Sequence, residues 1–223
     1  MTPVPAGPGS AGSSSGRSSS AGANSAGPAQ PGAPGRSPRR RRADAQRNIG
    51  SLLAAAKAVF ATSGVDAPAK QIADAAGVGV GTLYRHFPQR SDLIKAVFQH
   101  EVDACAEAAP ALAAAHEPEV ALAKWLHRYT EFVATKRGLA SALHSGDPAF
   151  DALPGYFMER LEPALGSLLE AARESGEIRA GISASEVLFA VANLCQPVPG
   201  GGVHYSQRMV AILIDGLRYG AST

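Results

Sequence analysis

From Asp44 onward, apolar residues recur at three- and four-residue intervals. Ile49, Leu52, Leu53, Ala56, Val59 and Phe60 form one stripe, which predicts an amphipathic helix closed at Gly64. The next segment, DAPAKQIADAAGV, puts Ile72, Ala73 and Ala76 on one face of a helix of about two turns, opened near Pro68 and stopped at Gly77. After Phe87 and Pro88 the period restarts with Leu93, Ile94, Val97, Phe98 and Val102, and Pro110 is the expected end of that helix. Further helices are predicted from Glu119 to Lys136, over Leu139 to His144, and from Tyr156 to Ser175 before Gly176. Ser183 and Glu186 make a capping box ahead of Val187, Leu188 and Val191, and a last helix runs from about Tyr205 to Arg218 beyond the loop PVPGGG. No segment alternates like a strand. The predicted fold class is all-α, with about nine helices.

Upstream of Asp44 this periodicity disappears. Residues 1–38 hold eight Gly, seven Pro and nine Ser, too little apolar surface to offset the entropy of ordering, so disorder is expected. The segment ends in RSPRRRRADAQR, where Arg39, Arg40, Arg41 and Arg42 make either a basic arm for DNA phosphates or a charged, solvated junction. The expected organisation is a tail over 1–43, a small domain over 44–90 and a helical body over 91–223.

Composition sharpens this picture in two places. Of 223 residues 45% are hydrophobic and only 6% aromatic, and the abundance of alanine suits closely packed helices. No run approaches the ~20 apolar residues that span a bilayer. The opening MTPVPAGPGS has no basic and apolar signal pattern, so a cytoplasmic location without membrane partners is expected. Cys105 and Cys195 lack metal or CxxC spacing and read as buried, reduced thiols. The net charge of +2 conceals a division: residues 36–90 carry ten Lys/Arg against three Asp/Glu, and residues 91–223 carry ten against sixteen. A basic head on an acidic body suits nucleic-acid binding, although a solvated basic surface has the same composition.

The stretch GVGVGTLYRHF, Gly77 to Phe87, carries the sharpest chemistry. A dinucleotide fingerprint needs a preceding strand and G-x-G-x-x-G; here the spacing is G-x-G-x-G after a helical segment, and no G-K-[ST] completes a P-loop. A short helix, a turn at Gly77 and a second short helix from Gly79 instead make a helix-turn-helix, whose second helix enters the major groove by its N-terminal end. Leu83 and Phe87 share its inner face, while Gly81 and Arg85 point the opposite way.

On these residues the chain resembles the TetR family of transcriptional regulators. The match runs from VFATSG through IADAAGVGVGTLYRHF into SDLIKAVF, about 50 residues. The resemblance implies that Thr82, Tyr84 and His86 hold phosphates, with packing inside the small domain as the alternative for Tyr84 and His86. It sets Val80 and Arg85 at positions facing base edges, gives Gly79 the helix cap and lets Gly81 admit close approach. Arg85 has two readings, a guanine contact or a phosphate contact. Arg90 matches a basic residue that contacts the DNA backbone at the start of the fourth helix. Two departures weaken caps: Gly79 and Ala67 stand where relatives carry Ser or Thr.

The body carries no catalytic or metal constellation. The six histidines of the chain include no H-x-x-x-H pair, and neither a cofactor nor an enzymatic activity is expected. Its aromatic residues read most simply as core. The family resemblance implies a cavity, for which Trp125, Tyr129, His144, Phe157 and Asn193 are candidate linings; Phe189 lies four residues before Asn193 on one helix face, an apolar wall beside an amide. It also implies a homodimer through the last two helices, a double-stranded DNA operator and a small-molecule effector, hence a ligand-released repressor. A small-molecule enzyme and a non-specific architectural DNA binder remain the other readings.

Overall fold

The computed structural model describes residues 38–198 and 203–218, with side chains from 47 and 204 onward. Nine α-helices and one 3-10 turn appear among them, with no strand. They are α1 (Pro38–Ser63), α2 (Ala69–Ala75), α3 (Val80–His86), α4 (Arg90–Ala115), α5 (Pro118–Gly138), α6 (Ala140–Leu143), the turn Pro148–Phe150, α7 (Leu153–Glu174), α8 (Ala184–Leu194) and α9 (Val203–Arg218). The all-α expectation holds.

Two helix limits differ from those expected. The first helix begins at Pro38 rather than Asp44, so residues 38–43, assigned above to a disordered tail, are helical. Proline suits a first helical position and arginine is a good helix former, which lets Arg39 to Arg42 extend the helix backward. The rest of the expected tail lies outside the described residues. The fourth helix passes through Pro110 to Ala115 instead of stopping there. Proline forfeits one backbone bond inside a helix, but Ala106 and Ala109 are buried beside it, and their packing carries the helix on. Termination comes at His116, where the chain turns extended (φ −142°, ψ 157°) and Pro118 opens α5.

Burial follows the apolar stripes. Leu52, Ala56, Phe60, Ile72, Leu83, Leu93 and Val97 close the core of the small head, in which α1 packs on α2 and α4. The long α4 continues into the body and packs against α5 and α7. Trp125, Tyr129, Phe132 and Phe157 form the aromatic centre there, with Trp125 and Tyr129 stacked at 5.7 Å between ring centroids. Polar ties supplement it: Asp103 on α4 accepts from the Tyr156 hydroxyl (2.6 Å) and from Arg160 Nε (2.8 Å) on α7. The expected capping box is formed at α8, where the Ser183 hydroxyl accepts from the Glu186 N–H and the Glu186 carboxylate accepts from the Ser183 N–H. Arg218 pairs with Glu119, and the Arg179 N–H donates to the Leu217 carbonyl, so the end of α9 is tied back to the body.

Head and body meet closely. A Cβ on Gly138, at the end of α5, would lie 3.6 Å from the Ala61 Cα in α1, and Lys57 of α1 pairs with Glu101 of α4.

Candidate DNA-binding face and effector cavity

The turn between α2 and α3 is built by backbone geometry. Gly77 sits at φ +69°, its N–H donates to the Asp74 carbonyl, and the Val78 N–H donates to the Ala73 carbonyl. This is the paired bonding that closes a helix through a left-handed residue, a conformation that costs a side-chain-bearing residue strain. The chain then re-enters a helix at Gly79, which has extended geometry and no side-chain cap; its carbonyl accepts from the Thr82 and Leu83 N–H groups. At α2 the cap position falls on Pro68 rather than Ala67, again without a side-chain oxygen.

The seven residues of α3 divide by face. Leu83 is buried, with Phe87 beside it at the helix end, and both join the head core. Gly79, Gly81, Tyr84 and Arg85 are exposed, while Val80, Thr82 and His86 are half-buried. Tyr84 is 53% exposed, unusual for a large aromatic side chain. A Cβ at Gly79 or Gly81 would meet nothing within 4 Å, so the fold itself does not demand glycine at either position. The face therefore offers a hydroxyl, a phenol, an imidazole and a guanidinium around two positions without side chains, Gly79 and Gly81. Arg39 to Arg42 lie near the start of α1, and their side chains fall outside the described residues.

Arg90, expected at the DNA backbone, is half-buried at the start of α4. Its guanidinium donates to the carbonyls of Val65 and Ala67 in the α1–α2 loop and lies 5.3 Å from the centroid of the Phe60 ring. Burial lowers its pKa, against the opposing effects of Asp66 and Tyr84. A guanidinium so engaged serves first as a brace between α4 and the loop that positions α2 and α3.

In the body, two adjoining cavities of about 270 Å³ each share Lys136, His144, Phe157 and Phe189 as walls. Phe98, Phe150, Leu153 and Met158 are among the further walls of one; Tyr129, Val133, Arg137, Ala140 and Gln196 are among those of the other. Four of the six sequence-derived candidates, Tyr129, His144, Phe157 and Phe189, are thus brought together. Trp125 is fully buried, with its indole N–H donating to the Cys105 carbonyl at 2.9 Å, and belongs to the core beneath. Asn193 is exposed and lines neither cavity, because α8 turns Val187, Leu188 and Val191 inward instead. Sequence reasoning missed Lys136 and Arg137. Cations in a helix's last turn are already accounted for by its dipole, so nothing marked these two as cavity walls. A third, open cleft of about 480 Å³ separates head from body between Asp66, Arg90, Ser141, Asp147 and Phe150.

A helix-turn-helix head with an exposed polar face, joined by one long helix to a cavity-bearing helical body, fits a class: the helix-turn-helix transcriptional regulators with a second, helical domain. Comparison with known proteins is specific. Residues 52–97 match bacterial regulatory proteins of the TetR family, and residues 117–219 match the C-terminal domain of SbtR-like transcriptional regulators. A TetR transcriptional regulator of Streptomyces coelicolor is 34% identical, with a TM-score of 0.67 over 76% of this chain and 98% of its own. A TetR regulatory protein of Mycobacterium vanbaalenii is also 34% identical, with a TM-score of 0.64 over 80% of this chain and 99% of its own. A regulator from Rhodococcus sp., at 18% identity and a TM-score of 0.59 over 78% and 99%, shares the fold. No curated protein matches the chain. The chain belongs to the TetR family of DNA-binding transcriptional regulators.

Proposed function

We propose that this chain is a ligand-released repressor that binds a palindromic operator as a homodimer. The observation that carries the reading is α3, which turns Leu83 and Phe87 inward and leaves Gly81, Tyr84 and Arg85 facing outward beside half-buried Thr82 and His86. In this reading Thr82, Tyr84 and His86 hold phosphates, Val80 and Arg85 meet base edges, and Gly79 and Gly81 let the helix approach the groove floor. The Arg39 to Arg42 run adds phosphate contacts at the start of α1. Exposed Ile212, 62% accessible on α9, supports pairing through the last two helices. Twofold pairing requires operator half-sites about one helical turn apart.

The coupling is a population shift. An effector in the body cavities touches Lys136 and Arg137, the residues immediately before Gly138, and Gly138 abuts Ala61 of α1. A ligand that favours one position of α5 biases the head spacing, and the open cleft at Arg90 and Asp147 gives the head room to respond. Effector and operator then weaken each other's binding by the same factor.

Footprinting on genomic fragments, with stoichiometry from sedimentation, tests this reading. The expected result is protection of a palindrome by two chains, relieved by a body-binding ligand. Protection without sequence preference would instead identify an architectural binder, and turnover of a small molecule without DNA affinity an enzyme.

A further inference from the structure

We infer that the body cavities take a small organic anion, an aromatic or short aliphatic carboxylate, whose charge is read by Lys136 and Arg137. This rests on the reading of the chain as effector-responsive, and it names the effector's chemistry.

The walls are mostly apolar and aromatic: Phe98, Phe150, Leu153 and Phe157 on one side, Tyr129 and Val133 on the other. No carboxylate is among the lining residues. The charged groups that line them are cationic, and among the described residues neither Lys136 nor Arg137 has an acidic side chain within ion-pairing distance. The Lys136 ammonium lies 5.6 Å from the Phe157 ring centroid, at the boundary shared by the two cavities. Arg137 uses one N–H on the Cys195 carbonyl (2.7 Å), which fixes the guanidinium while leaving its other donors available.

The neutral polar groups are engaged in part, with the His144 Nε2 and the Gln196 Oε1 left to a ligand. The Tyr129 hydroxyl donates to the Leu188 carbonyl, the Gln196 amide to the Ala192 carbonyl, and the His144 Nδ1 lies 2.8 Å from the Ala140 carbonyl. What the cavities offer a ligand is an apolar wall edged by two cations without an acidic partner among the described residues, the exposed Lys136 and the half-buried Arg137. A neutral apolar compound would leave those cations unanswered, and an inorganic anion would leave the aromatic wall unfilled. A carboxylate on a ring or short chain answers both.

Calorimetric titration of the full chain with naphthalene-2-carboxylate and with naphthalene-2-carboxamide, matched in shape and different in charge, tests the inference. The carboxylate is expected to bind about tenfold more tightly, the scale of one charge-assisted hydrogen bond at a partly exposed site. Lys136→Gln should bring that ratio toward one, and Lys136→Arg should keep it. Equal affinities in the unmodified protein, a ratio unmoved by Lys136→Gln, equally effective competition by inorganic phosphate, or no binding of either compound up to its solubility would each overturn it. Operator affinity of the same preparations separates the two readings. A chain that binds DNA but does not prefer the carboxylate remains a regulator with a different effector chemistry. A chain that prefers the carboxylate but binds no DNA keeps its anion site and loses the regulatory reading.

Discussion

Arg85 and Arg90 flank Pro88 and carry the same charge, yet their surroundings differ. Arg85 is exposed on α3 with nothing in the head core to hold it, whereas the Arg90 guanidinium is engaged by the Val65 and Ala67 carbonyls. Arg85→Ala should weaken operator binding by about 1–3 kcal/mol; loss confined to one operator position identifies a base contact, and uniform loss with a salt slope reduced by about one identifies a phosphate contact. Arg90→Lys should instead destabilise the head by about 1–2 kcal/mol in denaturant unfolding, because a single ammonium cannot reproduce the fork across two carbonyls, and should leave the salt slope of DNA binding unchanged. The thiols give a second contrast with their surroundings. Cys105 and Cys195 are each 1% exposed, and burial pushes the Cys105 thiol up to about 12. Ellman's reagent should therefore label the native chain slowly and both thiols promptly after unfolding; rapid labelling of Cys105 in the folded protein would contradict the packing.

At the scale of the element, α2, the Gly77 turn and α3 were legible because their determinants are local. Periodicity found the faces, and Gly77 was a stop signal in the sequence and a left-handed residue in the structure. Gly77→Ala should accordingly destabilise the head by about 1–2 kcal/mol, the cost of a left-handed alanine. Gly79→Ser should stabilise it by a few tenths of a kcal/mol, since a Cβ there meets no neighbour and the hydroxyl can cap α3. Paired unfolding curves measure both, and a stabilising Gly77→Ala would refute the assigned turn. Helix limits were less legible where tertiary packing competes with a local signal. Pro110 reads as a terminator until Ala106 and Ala109 are seen buried against the body. The body cavity was harder still. Phe189 and Asn193 do share a face of α8, but which way that face turns is decided by Val187, Leu188 and Val191 packing inward, and no local pattern states it. Lys136 and Phe157 belong to helices that only the folded chain brings together.

At the scale of the whole molecule, the division of charge becomes a division of labour. The basic head presents α3, and the acidic remainder carries the cavities and the last two helices. A head that neutralises phosphates must lose affinity steeply as salt rises, since each contact releases condensed counterions. A head that also reads bases must keep a preference for one sequence after that common term is removed. A repressor of the proposed kind needs both properties in one twofold-symmetric particle. Selection of bound fragments from a random double-stranded DNA pool by the purified full chain tests this most directly. The predicted result is enrichment of a single palindrome with half-sites about one helical turn apart, bound roughly a thousandfold or more tightly than unselected DNA. A pool that emerges without a motif, retained equally well at random sequence, would contradict it.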